Sequence, residues 1–161
     1  MPKKKSLPKV KVGIIGGSGL YEIEGITNLR EIKLSTPFGR PSDSVISGEL
    51  NGTACAFLPR HGRGHVISPS EVNSRANIYA LKMLGVERII AISACGSLKE
   101  EIKPGEFLIP DQLFDRTRER PRTFFGNGVV GHVGFADPYC RELSGLVYQK
   151  AESLRIPSHL G

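Results

Sequence analysis

The sequence predicts an α/β fold built on a mixed sheet, and three observations carry that prediction. Two short β-branched runs, Lys9 to Ile15 and Glu87 to Ser93, each end in a turn of small residues, as buried strands do where they hand the chain to a tight turn. A helical pattern precedes the second run, so strand, helix and strand follow one another as they do in parallel or mixed sheets. Between the two strands lie two apolar runs flanking Asn51-Gly52, the dipeptide best able to take the positive φ angles of a two-residue hairpin turn.

In chain order, Lys9 to Ile15 is the first strand and runs out into Gly16-Gly17-Ser18-Gly19. Asp43 to Leu50 and Thr53 to Leu58 form the antiparallel hairpin. Pro59 to His65 (PRHGRGH) has too little apolar pattern for regular structure and must be a loop. Ser68-Pro69-Ser70-Glu71 has capping-box spacing with Pro at the first helical position. Val72, Ala76, Tyr79, Ala80 and Met83 then recur at helical intervals up to Gly85, which predicts a helix from Pro69 to Leu84. Glu87 to Ser93 is the next buried-type strand and ends in Ala94-Cys95-Gly96-Ser97. Phe107 to Ile109 is a further strand, stopped by Pro110. Arg116 to Gly134 is polar and Gly-rich, the pattern of a long functional loop, and Pro138 to Arg155 predicts a closing helix.

With 161 residues and 39% apolar content the chain suits one domain with a real core, over residues 10–161, behind a basic, flexible tail at residues 1–9. The net charge of +6 comes largely from that end: Lys3, Lys4, Lys5, Lys9 and Lys11 account for five of the 22 basic residues, and the other 17 face 16 acidic ones. A near-neutral body argues against a nucleic-acid partner. No apolar run approaches the roughly 20 residues that span a bilayer, and no apolar stretch follows the basic N-terminus as in a signal peptide, so the expectation is a soluble, cytoplasmic protein without a membrane partner. Cys55, Cys95 and Cys140 are odd in number and widely spaced, which fits reduced, apolar cysteines better than zinc or redox chemistry.

The chemistry concentrates where strands end. In open α/β sheets ligands bind outside the carboxyl ends of strands, so Gly16-Gly17-Ser18-Gly19 and Ser93-Ala94-Cys95-Gly96 can line one crevice, their small side chains letting backbone N–H groups and the Ser18 and Ser93 hydroxyls reach an anion such as phosphate. Taken alone the first turn is an ordinary tight turn, since it fits neither the dinucleotide fingerprint nor the P-loop. The loop Arg60-His61-Gly62-Arg63-Gly64-His65 adds a guanidinium that can bind two phosphate oxygens, although a solvated basic loop reads the same way. His61 and His65 have the spacing of a helical zinc pair, but Gly62 and Gly64 argue against a helix and hence against a metal site. Asp137, Glu100 and Glu101 form no evident carboxylate pair, and the strand–nucleophile–helix signature of a serine hydrolase is lacking.

Five segments, Val12 to Leu20 (VGIIGGSGL), Leu58 to His65 (LPRHGRGH), Pro69 to Ala80 (PSEVNSRANIYA), Ser93 to Lys99 (SACGSLK) and Asp111 to Thr117 (DQLFDRT), together resemble the methylthioadenosine phosphorylases, a branch of the purine nucleoside phosphorylase family. They occur in the family's order across nearly the whole chain. The resemblance implies a mixed-sheet nucleoside phosphorylase-like fold and phosphorolysis of 5′-methylthioadenosine to adenine and 5-methylthioribose 1-phosphate. Phosphate is then a substrate, and no metal or organic cofactor is needed. By the same resemblance the phosphate-binding residues are Ser18, Arg60, His61, Ser93 and Ala94, with Ser18 and Ser93 standing where the family often has Thr. His65, and His132 from a neighbouring subunit of a homotrimer, are implied near the nucleoside's 5′ end.

Family members continue beyond the point matched by Gly161 with a Glu-Gly-Pro motif, a further phosphate-binding Thr and the Asp residues that read the purine. The fold is therefore expected to be truncated at its C-terminus, the purine-binding acid to lie beyond Gly161, and catalysis by these 161 residues alone to be poor. Two alternatives stay open at this level: a phosphorylase for inosine, guanosine or methylthioinosine, and a non-catalytic remnant that binds phosphate or oligomerises.

Overall fold

The computed structural model describes residues 8–17 and 24–161. They fall into two compact units, the first comprising residues up to Ser93 together with Pro121–Phe124, the second Ala94–Arg120 and Phe125–Gly161. The basic residues 1–7 and the end of the first turn, including Ser18, lie outside the described residues.

The first unit is a mixed five-stranded sheet with one helix. Its strands are β1 (Val12–Gly16), β2 (Ile26–Ile32), β3 (Val45–Leu50), β4 (Thr53–Pro59) and β5 (Arg88–Ala91), in the spatial order β2-β3-β4-β1-β5. β1 runs parallel to both β4 and β5, while β2, β3 and β4 are antiparallel neighbours. The β3–β4 hairpin turns where expected: Asn51 and Gly52 have φ of 49° and 76°, and Leu50 pairs with Thr53. β2 escaped sequence reading because it is a charged edge strand, ITNLREI, exposed over its middle five residues and broken in register between Thr27 and Arg30.

The helix α1 (Ser74–Met83) carries the crossover from β4 to β5 and covers β1. A Cβ on Gly13 would stand 3.1 Å from Leu81 Cδ1 and 3.0 Å from Val86 Cγ1, so this position in β1 must stay small for α1 to sit down. Leu81, Ala80 and Leu84 then join Val10, Val45, Ala56 and Leu58 in the buried core. The helix starts five residues later than its sequence pattern suggests. Ser68 and Glu71 close a separate turn, Ser68 N–H donating to Glu71 Oε2 at 3.0 Å and Glu71 N–H to the Ser68 carbonyl at 3.0 Å. Asn73 is the true N-cap, its Oδ1 accepting from Ala76 N–H at 3.1 Å, and Gly85, at φ 84°, ends the helix as expected.

The second unit holds β6 (Phe107–Ile109), α2 (Arg141–Ser153) and β7 (Ser158–Leu160), with β6 and β7 paired in parallel. The two strands are three residues long, and His159 Nε2 lies 2.7 Å from Glu106 Oε2 beside them. Between Ile109 and Arg141 there is no helix or strand, in keeping with the long loop expected from Arg116 to Gly134. The second helix is shorter than the predicted span of Pro138 to Arg155, since Cys140 caps it without a side-chain hydrogen bond and Arg155 turns to φ 57°.

Candidate functional site

Parallel pairing sets the ends of three strands side by side. Gly16 of β1 is in register with Pro59 of β4, and Ile15 with Ala91 of β5. The ladder runs one step further on each side: Arg60 N–H donates to the Gly16 carbonyl at 2.9 Å and Ile92 N–H to the Ile15 carbonyl at 2.8 Å. Gly17, Arg60 and Ser93 therefore leave the sheet along one edge, the carboxyl edge where α/β sheets hold ligands. A Cβ on Gly17 would meet nothing within 4 Å among the described residues.

Arg60 crosses that edge. Its Nη1 donates to the Ile92 carbonyl at 2.7 Å, so a side chain rooted after β4 reaches over the end of β1 to the end of β5. Neighbouring strands are about 4.8 Å apart, a two-strand span that suits a guanidinium on its three-carbon stem. Its Nε donates to His61 Nε2 at 3.0 Å, and the remaining guanidinium N–H groups have no acceptor among the described residues. A half-buried, fixed cation with spare donors, beside two strand ends of small residues, has the chemistry to hold an oxyanion.

The loop after Arg60 is braced from α1. Gly62 takes φ 70°, with its N–H on the Pro59 carbonyl at 3.1 Å; a Cβ there would sit 3.2 Å from the Ser42 carbonyl oxygen. Arg63 N–H donates to Asp43 Oδ2 at 2.6 Å. The stretch around Ser42 is held in turn by buried Asn77, which accepts from Ser42 N–H at 2.8 Å and donates to Ser42 Oγ at 2.9 Å, while Asn73 Nδ2 donates to the Phe38 carbonyl at 2.7 Å. Asp43, Asn73 and Asn77 were missed as site supports. Two Asn residues four apart on an otherwise apolar helix face were the available signal, because a buried amide needs partners.

The predicted site residues divide as follows. Arg60 and His61 come together, and Ser93 directly follows Ile92, whose carbonyl Arg60 holds. His65 is exposed, with its ring stacked on that of His61 at 4.4 Å. Ser18 lies outside the described residues. Ala94 and His132 belong to the second unit and are exposed. Among the described residues no group of three or more His, Cys, Asp and Glu is arranged to hold a metal ion, and no helix is long and apolar enough to cross a membrane.

The family model of the phosphorylase superfamily matches residues 11–161, which include this mixed sheet and its carboxyl-edge arginine. The chain belongs to that superfamily. It is 56% identical over 151 residues to S-methyl-5′-thioadenosine phosphorylase of Geobacter sulfurreducens, covering 93% of this chain and 53% of that protein. It is 52% identical over 161 residues to the enzyme of the same name from Hyperthermus butylicus, covering 99% of this chain and 59% of that one. Among solved structures it is similar to a methylthioadenosine phosphorylase sourced from an antarctic soil metagenomic library, with a TM-score of 0.91 at 50% identity over 94% of this chain and 54% of that one. It is also similar to a mutant adenosine/methylthioadenosine phosphorylase from Schistosoma mansoni in complex with methylthioadenosine, with a TM-score of 0.85 at 44% identity over 92% of this chain and 54% of that one. The chain thus spans about half the length of the relatives it matches.

Proposed function

We propose that the carboxyl edge of β4, β1 and β5 is the phosphate side of a site that cleaves 5′-methylthioadenosine with inorganic phosphate. The observation that carries this reading is Arg60, fixed across the end of β1 by the Ile92 carbonyl with donors to spare. Ser18, Arg60, His61, Ser93 and Ala94 make up the phosphate set. His65, with His132 of a neighbouring copy in a homotrimer, lies toward the 5′ end of the nucleoside. The relatives' names, and a methylthioadenosine-bound neighbour at 44% identity, support the substrate.

In the proposed reaction a phosphate oxygen forms a bond to the anomeric carbon while the glycosidic C–N bond breaks. The bonding pair leaves with the purine nitrogen, and protonation or hydrogen bonding of the ring completes adenine. The other product is 5-methylthioribose 1-phosphate. The sugar becomes cationic on the way, so an anion held beneath it stabilises the transition state as well as supplying the nucleophile. Arg60 orients that anion and donates no proton to it. No cofactor enters the balance.

The test is product analysis with 5′-methylthioadenosine, inosine and phosphate. Phosphate-dependent release of adenine supports the reading, and release of hypoxanthine from inosine in preference overturns the substrate. The 161 residues by themselves are expected to be a poor catalyst, because they correspond to about half of each relative. A rate matching a full-length relative would show that the purine-side chemistry needs nothing more.

A further inference from the structure

Arg60 and His61 are joined more tightly than a shared ligand alone requires. Arg60 Nε donates to His61 Nε2 at 3.0 Å, and His61 Nδ1 is 2.9 Å from the Ile67 carbonyl oxygen. A guanidinium N–H can only donate, so Nε2 must be bare and accept; a carbonyl can only accept, so Nδ1 must carry the proton. The two partners together select one neutral tautomer. An imidazolium, or the Nε2–H tautomer, would point an N–H at the Arg60 Nε–H with no acceptor between them.

The ring is held from several sides. The backbone closes a reciprocal pair, since Ile67 N–H donates to the His61 carbonyl at 3.0 Å while His61 Nδ1–H meets the Ile67 carbonyl. His65 stacks on it at 4.4 Å with 22° between the planes. Gly62 at φ 70° and Gly64 at φ 78° let the loop curl far enough for position 67 to return to position 61. The result is a residue only 7% exposed with both ring nitrogens engaged inside the protein.

We infer that His61 is a positioning residue: as the neutral Nδ1–H imidazole it orients the Arg60 guanidinium for the anion, and its ring makes no contact with phosphate. The inference rests on the phosphate reading above and assigns His61 its manner of action within it. Its ring has no nitrogen left for a ligand. Arg60, by contrast, is pinned at Nε by His61 and at Nη1 by Ile92, which leaves Nη2 and the second Nη1 hydrogen without an acceptor among the described residues. An arginine fixed in advance loses less conformational freedom when the anion arrives, so binding is tighter than with the same charge on a free stem.

Two measurements on the 161-residue chain test this. In long-range proton–nitrogen NMR with labelled histidine, the His61 signal, identified by its loss in His61→Gln, is expected to show a protonated Nδ1 and a bare Nε2 in neutral buffer. An Nε2–H or imidazolium pattern overturns the inference. The second measurement is titration with inorganic phosphate. Gln at 61 puts an amide oxygen near the place of Nε2 and keeps an acceptor for Arg60; Asn reaches only the place of Nδ1. His61→Asn is expected to weaken phosphate binding about tenfold and His61→Gln less than about threefold, the scale of one oriented hydrogen bond. Arg60→Gln is expected to weaken binding about a hundredfold, the scale of a lost charge-assisted contact, while leaving it measurable, with the Arg60→Gln/His61→Asn double variant no worse than Arg60→Gln alone. Equal losses for Asn and Gln, or losses that add in the double variant, overturn the positioning role. If Arg60→Gln binds phosphate as well as the parent chain, the phosphate reading itself fails, and the NMR pattern still decides whether His61 sets the Arg60 geometry.

Discussion

Leu58 and Leu81 of the first unit are fully buried, whereas Leu98, Phe114 and Val130 of the second are 103%, 85% and 79% exposed. The two units are both rich in apolar residues, yet only the first converts them into a core. Its helix lies over a five-stranded sheet, while in the second unit two strands of three residues pair with each other and α2 has no buried residue. Paired strands this short are marginal by themselves, and apolar surface left in water adds nothing to stability. The comparison teaches where rigidity is available: the carboxyl edge of β4, β1 and β5, with Arg60, His61 and their braces from α1, is built on the unit that has a core.

The contrast can be broken or sharpened by substitution. Leu81→Ala should cost about 3 kcal/mol in urea unfolding, as for other buried leucines, whereas Leu146→Ala on the exposed side of α2 should cost less than about 0.5 kcal/mol. Comparable losses would mean that the second unit shares the core after all. Hydrogen exchange should sharpen the same point: amides of β1 and β4 are expected to exchange at least roughly a hundredfold more slowly than those of β6 and β7. Next in size, saturating phosphate should raise the unfolding temperature by a few degrees, and Arg60→Gln should remove that rise.

The smallest effect concerns Glu106, whose carboxyl is held below its ordinary value first by the hydrogen bond with His159 and then by that from the Lys103 N–H. A carboxylate with a lowered folded pKa stabilises the fold at neutral pH, and that contribution is lost as pH falls through the usual carboxylate range and below it. Acid titration of β6–β7 amide protection should therefore show a loss in that range which Glu106→Gln flattens. An unchanged acid profile in the variant would remove this pair from the account of the second unit.

Much of the candidate site's backbone was legible because its signals are local. A Gly-rich turn after a β-branched run, Asn51-Gly52 and an Arg-His-Gly loop each announce a backbone shape that few residues can adopt. The parallel register that brings the end of β1, the Arg60 loop and the end of β5 to one edge is a tertiary fact, and sequence supplied it only through the strand–helix–strand order. β2 hid because an edge strand carries charge where a central strand carries apolar residues. The early start predicted for α1 came from Ser68 and Glu71, whose capping spacing serves an isolated turn as readily as a helix. Asn73 and Asn77 kept their meaning hidden because what they hold, Phe38 and Ser42, lies 35 residues earlier in the chain.

A crystal structure of the chain grown or soaked in inorganic phosphate tests the central claim most directly. The account predicts one anion at the ends of β1, β4 and β5, within hydrogen-bond distance of Arg60 Nη2 and the Ser93 hydroxyl, with the Arg60–His61 contact unchanged. An empty edge at saturating phosphate, or an anion bound away from Arg60, would contradict it.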